Sequence, residues 1–480
     1  MVEIYLINPT QLEKTPALYP PLGIGYIVAV LKENGYSPKV LDLAFDPEIK
    51  QIKKIKGGGA VYGFTSTTTQ FAFARDVAEI IKKKDHEGKI IFGGAHPTVV
   101  PEQVIADKNI DVAVLGEGEY TFLELVQRIE SGKPIDDVKG IYYKENGRGI
   151  NTGERPFIED LDALPFPEQR DFDVEKYFEL KGYRELSIIS SRGCPGNCKF
   201  CQPTVRRIFG KKLRYRSAGN VVDEIENLID RFRLDMLVIS DDTFVSNRKR
   251  VEDICNKIID RDIQILWRVQ TRVGMKKETL KLMKKSGCFL VALGVESGSQ
   301  EMLNRMGKGI TIEKIKDTFK TCREVGILAH AFLIVGYPGE TKETIQQTFD
   351  LIKDIKPLTT RVAIATPYPG TYLYDIAQEQ NLISSNDILK YDHLFGMPTL
   401  NLENLSKEGV IAARDMLEDH TMKIERVKDL GRLFKDFIIF KKIIRMSIKD
   451  PTFPMRMMGL GLRGLQAKGP KAIAPHLNNK

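Results

Sequence analysis

Cysteine is scarce in this chain: there are six among 480 residues, and none before Cys194. That excludes a disulfide framework and, with it, the small secreted scaffolds that depend on one. Tryptophan occurs once and aromatics make up 8% of the chain. No basic stretch is interleaved with an aromatic platform, so nucleic acid is not an expected partner. No segment reaches the roughly 18 apolar residues that a bilayer span requires. Met1–Pro9 has neither a basic start nor a long apolar run, and it reads as a strand rather than a signal peptide. Hydrophobic content of 42% and charged content of 28% suit a globular protein of two or three domains in a reducing cytoplasm.

Charge is unevenly spread. The chain carries +8 overall, but residues 421–480 hold 14 Lys/Arg against 4 Asp/Glu. The basicity belongs to the tail, and the rest is nearly balanced.

Along the first 130 residues, short apolar strands alternate with helical patterns. Val2–Asn8, Lys39–Leu43, Ala60–Thr65, Lys89–Gly93 and Asp111–Leu115 read as strands. Pro20–Glu33, Thr69–Lys84, Pro101–Lys108 and Glu119–Ser131 read as helices between them. This alternation predicts an α/β fold with a doubly wound parallel sheet over 1–150, whose ligands sit at the carboxyl ends of the strands. Three loops at that edge are rich in small and hydroxyl residues: Gly63–Gln70, Gly93–Thr98 and Gly116–Glu119. Each alone reads as a turn or a helix cap; together on one edge they point to a bound cofactor. A strand–turn–strand follows over Lys139–Thr152, then an acidic, Pro-containing linker over 151–183.

The βα alternation resumes over 184–385. Strands begin near Glu185, Asp235, Gln264, Phe289, Ala329 and Thr360, and helices near Ala218, Asn247, Lys276, Thr311 and Thr341. Six such repeats over about 180 residues fall short of an eight-fold barrel and predict a partial (β/α)6 barrel of TIM type. A basic helical region over 386–480 completes the chain.

The loop after the first barrel strand holds Cys194, Cys198 and Cys201, in Ser-Ser-Arg-Gly-Cys-Pro-Gly-Asn-Cys-Lys-Phe-Cys-Gln-Pro. Three thiolates this close converge on one soft metal centre, structural or reactive. A four-iron cluster usually takes four thiolates, so three leave one iron open for chemistry. Cys255, Cys288 and Cys322 are scattered and read as buried small hydrophobes.

The pattern of Cys194, Cys198, Phe200 and Cys201 resembles that of the radical S-adenosylmethionine (SAM) superfamily, and the chain over 1–385 is similar to its cobalamin-binding branch. The resemblance implies a [4Fe–4S] cluster held by the three cysteines, with SAM on the open iron and its reductive cleavage giving a 5′-deoxyadenosyl radical. It further implies SAM contacts at Phe200 in the cysteine loop and at successive strand ends: Asp241 and Asp242 for the methionine amino group, Gln270 and Arg272 for its carboxylate, Glu296 and Ser297 for the ribose, and Gly336, Tyr337 and Pro338 on the adenine side. The N-terminal sheet then takes the part of a Rossmann-like cobalamin domain. Its candidate contacts are Thr65, Ser66, Thr67, Thr69, Gln70, Gly93, Gly94, His96, Thr98, Gly116, Glu117, Gly118 and Glu119. No Asp-x-His-x-x-Gly segment occurs, so the resemblance implies base-off cobalamin without a histidine ligand. Thr69–Gln70 is the candidate for the lower cobalt face, and His96 for the corrin edge or nucleotide tail.

The implied activity is a C-methyltransferase that draws methyl from methylcobalamin. Ring formation, carbon–carbon joining or hydration in lipid (hopanoid or archaeal tetraether) or pigment synthesis is the alternative, and a non-catalytic cobalamin or iron–sulfur sensor ranks below both. The implied partners are a ferredoxin- or flavodoxin-type electron donor and a substrate that is a lipid, a peptide residue or a small molecule. Bulky apolar and basic residues mix over Arg432–Met446 and Met455–Arg463. Two readings stand for them: peripheral contact with an anionic membrane surface, at the inner face, or a helix over the barrel mouth with a solvated basic side.

Overall fold

Five apolar segments of the N-terminal region pair in parallel: β1 (Ile4–Asn8), β2 (Lys39–Asp42), β3 (Val61–Thr65), β4 (Lys89–Gly93) and β5 (Val112–Val114). The computed structural model describes residues 2–11, 19–383, 398–422, 442–444 and 446–447. The hairpin expected near 139–152 is β6 (Ile141–Glu145) and β7 (Arg148–Asn151). It does not stand apart: β6 pairs antiparallel with β5, giving the order β2-β1-β3-β4-β5-β6-β7. The chain reverses direction across the sheet at β1, between β2 and β3, which makes the switch point where open α/β sheets bind ligands. Helices cover both faces, and β3, β4 and β5 are apolar on both sides accordingly. Tyr62, Phe64, Phe71, Phe92 and Ala113 belong to one continuous core.

The second sheet consists of β8 (Glu185–Ile188), β9 (Met236–Ile239), β10 (Leu266–Thr271), β11 (Cys288–Glu296), β12 (Leu328–Val335) and β13 (Thr359–Ile364). All neighbours are parallel and in chain order, from β8 to β13. This is the predicted six-stranded partial barrel. Its helices begin where the sequence signals them. Ser217, Asn247, Thr311 and Thr341 each accept a hydrogen bond from the backbone N–H three residues on, capping Ala218–Phe232, Arg248–Asp260, Ile312–Val325 and Lys342–Ile355. Cys255, Cys288 and Cys322 are fully buried, and burial pushes the thiols of Cys255 and Cys322 up to about 12.

Two C-terminal pieces complete this sheet. Helix Lys407–Met422 lies along β13: Thr360 Oγ1 donates to the Leu417 carbonyl at 2.8 Å and the Val362 N–H to Glu418 Oε1 at 3.0 Å. Ile443 and Met446 pack on Met236 and Leu266, and Lys442 Nζ donates to the Ile263 carbonyl at 2.9 Å. Those partners lie at the amino ends of the strands. The described part of the basic tail therefore packs at the amino ends of the strands and not over their carboxyl ends. The rest of Arg432–Met446 and all of Met455–Arg463 lie outside the described residues. Among the described residues, no helix is long and apolar enough to cross a membrane.

By its internal packing the chain forms two units. One is Met1–Tyr177 with Arg192–Tyr215 and Thr366–Asn401; the other is Phe178–Ser191 with Arg216–Ala365 and Leu402–Lys480. The cysteine loop thus packs with the first sheet's unit. Helix Val174–Lys181, inside the expected linker, and helix Thr204–Phe209, just past the cysteines, carry no strong sequence signal.

Candidate active site

The cysteine loop is tightly specified. Gly193 has φ +97°, and a Cβ there would lie 2.3 Å from the Lys212 carbonyl oxygen, so only glycine fits. The Cys194 N–H donates to the Gly210 carbonyl at 3.3 Å, while those of Cys201 and Gln202 donate to the Cys198 carbonyl at 3.2 and 2.9 Å. Arg206 donates to the carbonyls of Pro195 and Gly196 at 3.1 and 2.7 Å. Segment Gly370–Leu373 runs alongside, with the N–H groups of Tyr372 and Leu373 donating to the carbonyls of Gln202 and Lys199. Cys194 and Cys198 are buried, Cys201 is half-buried, and none is in a disulfide. Three thiols on one braced, largely buried loop are the right donor type for a cluster that leaves one iron open, while among the described residues no three Cys, His, Asp or Glu side chains are already gathered as for a metal ion.

Two buried arginines flank this loop. Arg192 donates to Glu117 Oε1 at 2.9 Å and to Glu119 Oε1 at 2.5 Å. Arg214 donates to both oxygens of Glu117, at 2.9 Å each. Burial opposes the charge on Arg192, but Glu119 and Glu117 outweigh it and raise its pKa. The Glu117 and Glu119 carboxylates, expected at a cobalamin pocket, are thus engaged in bracing the cysteine loop. Sequence reasoning missed Arg192, Arg206 and Arg214; the conjunction of a GEGE loop with arginines bracketing the cysteines is the signal it had.

The remaining edge loops of the first sheet are knitted together. The Ser66 N–H donates to the Gly93 carbonyl at 2.8 Å and the His96 N–H to the Ser66 carbonyl at 3.1 Å. Thr98 Oγ1 donates to the Gly94 carbonyl at 2.7 Å and accepts from the Gly116 N–H at 3.1 Å. Gly94, at φ +103°, brings its backbone so near Ser66 that a Cβ would sit 2.9 Å from the Ser66 carbonyl oxygen. Gln70 Oε1 accepts from the Thr67 N–H and hydroxyl at 3.0 Å each, and its Nε2 donates to Thr10 Oγ1 at 2.8 Å. The Thr67 and Thr69 hydroxyls lie 3.2 Å apart. His96 is wholly buried against Phe71, with Nδ1 3.3 Å from Thr68 Oγ1 and Nε2 lacking any partner. Burial drops its pKa to about 4, so it is neutral at pH 7. A backbone-rich rim with one orphaned imidazole nitrogen fits a large, partly amide-decorated cofactor such as cobalamin.

In the second unit, Asp241 is saturated. Its carboxylate accepts from the Ser190 N–H and hydroxyl at 2.6 and 2.5 Å and from those of Ser191 at 3.2 and 2.7 Å. Asp242 reaches the surface, and burial of its carboxyl together with the Asp241 charge lifts its pKa to about 6. Glu296 sits at φ +65°, where the register of β11 and β12 shifts, and pairs with buried Lys308. Arg272 donates to the Lys308 carbonyl, and Gln270 is exposed on β10. Ser297 Oγ lies 3.2 Å from Thr348 Oγ1. A Cβ on neighbouring Gly298 would sit 2.4 Å from the Thr348 Cα, which forces helix and strand end together. The Gly336 N–H donates to Glu340, whose burial lifts its carboxyl to about 7. Pro338 is buried, as is Tyr337, whose hydroxyl has no hydrogen-bond partner. That orphaned hydroxyl and the exposed Gln270 and Asp242 fit a polar organic cofactor at these strand ends.

Two family profiles match the chain: the B12 binding domain over residues 12–126 and the Radical SAM superfamily over 188–352. An uncharacterized methyltransferase of Pyrococcus horikoshii is 33% identical over 437 residues, covering 86% of this chain and 94% of the relative. The anaerobic magnesium-protoporphyrin IX monomethyl ester cyclase of Rubrivivax gelatinosus is 31% identical over 371 residues, covering 74% of this chain and 66% of the relative. The fold is shared with the solved radical SAM methyltransferase TsrM of Kitasatospora setae, which has cobalamin and a [4Fe–4S] cluster bound (TM-score 0.67, 18% identity, 81% of this chain and 76% of that one). The chain belongs to the cobalamin-binding branch of the radical SAM superfamily. It is a cobalamin-dependent radical SAM enzyme, whose cofactors are a [4Fe–4S] cluster, SAM and cobalamin and which works with a reductant on a substrate.

Proposed function

We propose that this enzyme methylates an unactivated carbon of its substrate. The observation that carries the reading is the Pyrococcus horikoshii relative, named a methyltransferase and matched over 94% of its length. When bound, the cluster and SAM supply hydrogen abstraction through a 5′-deoxyadenosyl radical, and cobalamin supplies the methyl group. The chain's own residues hold, orient and exclude water.

Cys194, Cys198 and Cys201 would hold the cluster, with Phe200 among them as an apolar screen. Asp242 suits the methionine ammonium, because a carboxyl near pKa 6 is largely ionised at pH 7 and still gains from a cationic partner. Asp241 then acts as a positioning residue, fixing Ser190 and Ser191 ahead of the cysteine loop. Gln270 and Arg272 suit the methionine carboxylate. Glu296, held by Lys308, and Ser297 suit the ribose hydroxyls. Gly336 and Pro338 shape the adenine side, where the Tyr337 hydroxyl has a hydrogen bond to give. Thr65–Gln70, Gly93–Thr98, Gly116 and Gly118 form the cobalamin rim, without the Glu117 and Glu119 carboxylates. A ferredoxin- or flavodoxin-type protein suits as reductant. Ring formation is the second reading, favoured by the cyclase from Rubrivivax gelatinosus.

Anaerobically reconstituted enzyme with reductant and SAM is expected to release 5′-deoxyadenosine, measured by mass spectrometry, and Cys198→Ala to abolish both that release and iron retention. Unchanged release in Cys198→Ala overturns the cluster assignment. Untargeted mass spectrometry of a deletion strain separates the two readings: a compound lighter by one methyl supports methyl transfer, and a lost ring supports the second.

A further inference from the structure

The register of the six-stranded sheet sets out its inner face row by row. One row runs through Gln270, Ala292, His330 and Thr359; the next runs through Gly294, Phe332 and Arg361. The other face of β13 is occupied. Val362 and Ile364 are buried there, and the Thr360 hydroxyl reaches helix Lys407–Met422. Since successive side chains on a strand alternate, Arg361 stands on the inner face with Phe332.

In a closed barrel this face is a filled core. Here, among the described residues, it is incompletely filled on the side of β12 and β13. Along β12 the inward residues Leu328, His330 and Phe332 are half-buried while the outward Ala329, Ala331 and Leu333 are buried, and Arg361 is exposed. Other charges on the face are already met: Arg268 pairs with Glu185, Lys308 pairs with Glu296, and Arg272 donates to the Lys308 carbonyl. Arg361 has no hydrogen bond or ion pair among the described residues. His330 stands one row below, its Nδ1 against Thr359 Oγ1. A guanidinium in the same row as an aromatic residue, next to the small residues Gly294 and Ala292, suits an organic molecule that ends in a planar or tetrahedral anion. An unmet cation on a face from which water is to be displaced is costly unless its counter-charge arrives with the ligand.

We infer that Arg361 anchors a carboxylate or phosphate group of the substrate on the inner face of the barrel. The inference rests on the radical SAM reading of this face. The methionine carboxylate of SAM has the same chemistry, and the test separates the two sources. It uses the full chain with cluster reconstituted and cobalamin loaded, saturated with SAM. Succinate is followed by saturation-transfer NMR and inorganic pyrophosphate by phosphorus line width. At least one probe is expected to bind the wild type, and Arg361→Gln to weaken it about tenfold, the effect of losing one charge-assisted hydrogen bond. Arg361→Lys, which keeps the charge, is expected to fall between them, and the SAM dissociation constant, read from the spectral change of the reduced cluster, to stay within about twofold. Probes that bind wild type and Arg361→Gln alike, or bind neither, overturn the inference. So does a tenfold rise in the SAM dissociation constant, which would assign the guanidinium to methionine. A wild-type cluster whose spectrum ignores SAM overturns the reading of the face itself and this inference with it, a failure distinct from lost probe binding alone.

Discussion

The two sheets use the same βα units and leave different places open. In the first, β3 to β5 are buried on both faces, so the polar and small residues gather on the loops at the strand ends. In the second, β8 and β9 are buried throughout, but β12 alternates half-buried and buried residues over Leu328–Leu333, so part of one face is less closely packed. A parallel strand in a filled sheet reads as a continuous apolar run. The charges differ too: in the first unit two buried arginines converge on Glu117, whereas in the second the pairs are separate, as at Arg216–Glu224, Glu185–Arg268 and Glu296–Lys308.

The sharpest way to break this contrast is Glu117→Ala. It strips two buried arginines of their shared carboxylate, and losing one partner of a buried pair costs about 3–5 kcal/mol. Urea unfolding and iron retention after reconstitution are both expected to fall; a change under about 1 kcal/mol with full iron retention would remove the bracing role. Next in size is the pH response, which separates the units. His96 in the first unit has its pKa lowered to about 4 by burial. Between pH 4 and 6.5 the unfolded chain binds the proton more readily, so stability present above pH 6.5 is lost as the pH falls through that window. Lys181 in the second unit is lowered by burial to about 7, against an ordinary value of 10.5. Its contribution is unfavourable below pH 7 and is relieved as the pH rises from 7 toward 10.5. Urea midpoints across pH are expected to lose their acid fall in His96→Gln and their alkaline rise in Lys181→Met. The smallest effect is Thr341→Ala, which removes a reciprocal cap between Thr341 and Thr344 and is expected to cost about 1 kcal/mol in the same urea assay.

Elements set by local chemistry were legible in the sequence. Ser217, Asn247, Thr311 and Thr341 mark helix starts because a cap acts over three residues. The cysteine loop is legible for the same reason, its cysteines being four and three residues apart. Partners distant in the chain left no local pattern. Glu117 meets Arg192 and Arg214 across 75 and 97 positions, and Asp241 meets Ser190 across 51. The acids thus look like loop residues open to a cofactor until the fold supplies their donors. The hairpin β6–β7 was seen as a hairpin, but its pairing with β5 depends on an edge that only the assembled sheet possesses.

One consequence concerns the helix along β13. A partial barrel, unlike a closed one, ends in strands whose backbone groups can template another chain. Helix Lys407–Met422 blocks that route at β13, since Glu418 takes the Val362 N–H and Leu417 the Thr360 hydroxyl. Helix Lys407–Met422 thus covers the outer edge at β13, a place where an exposed strand would otherwise offer backbone groups to a second chain.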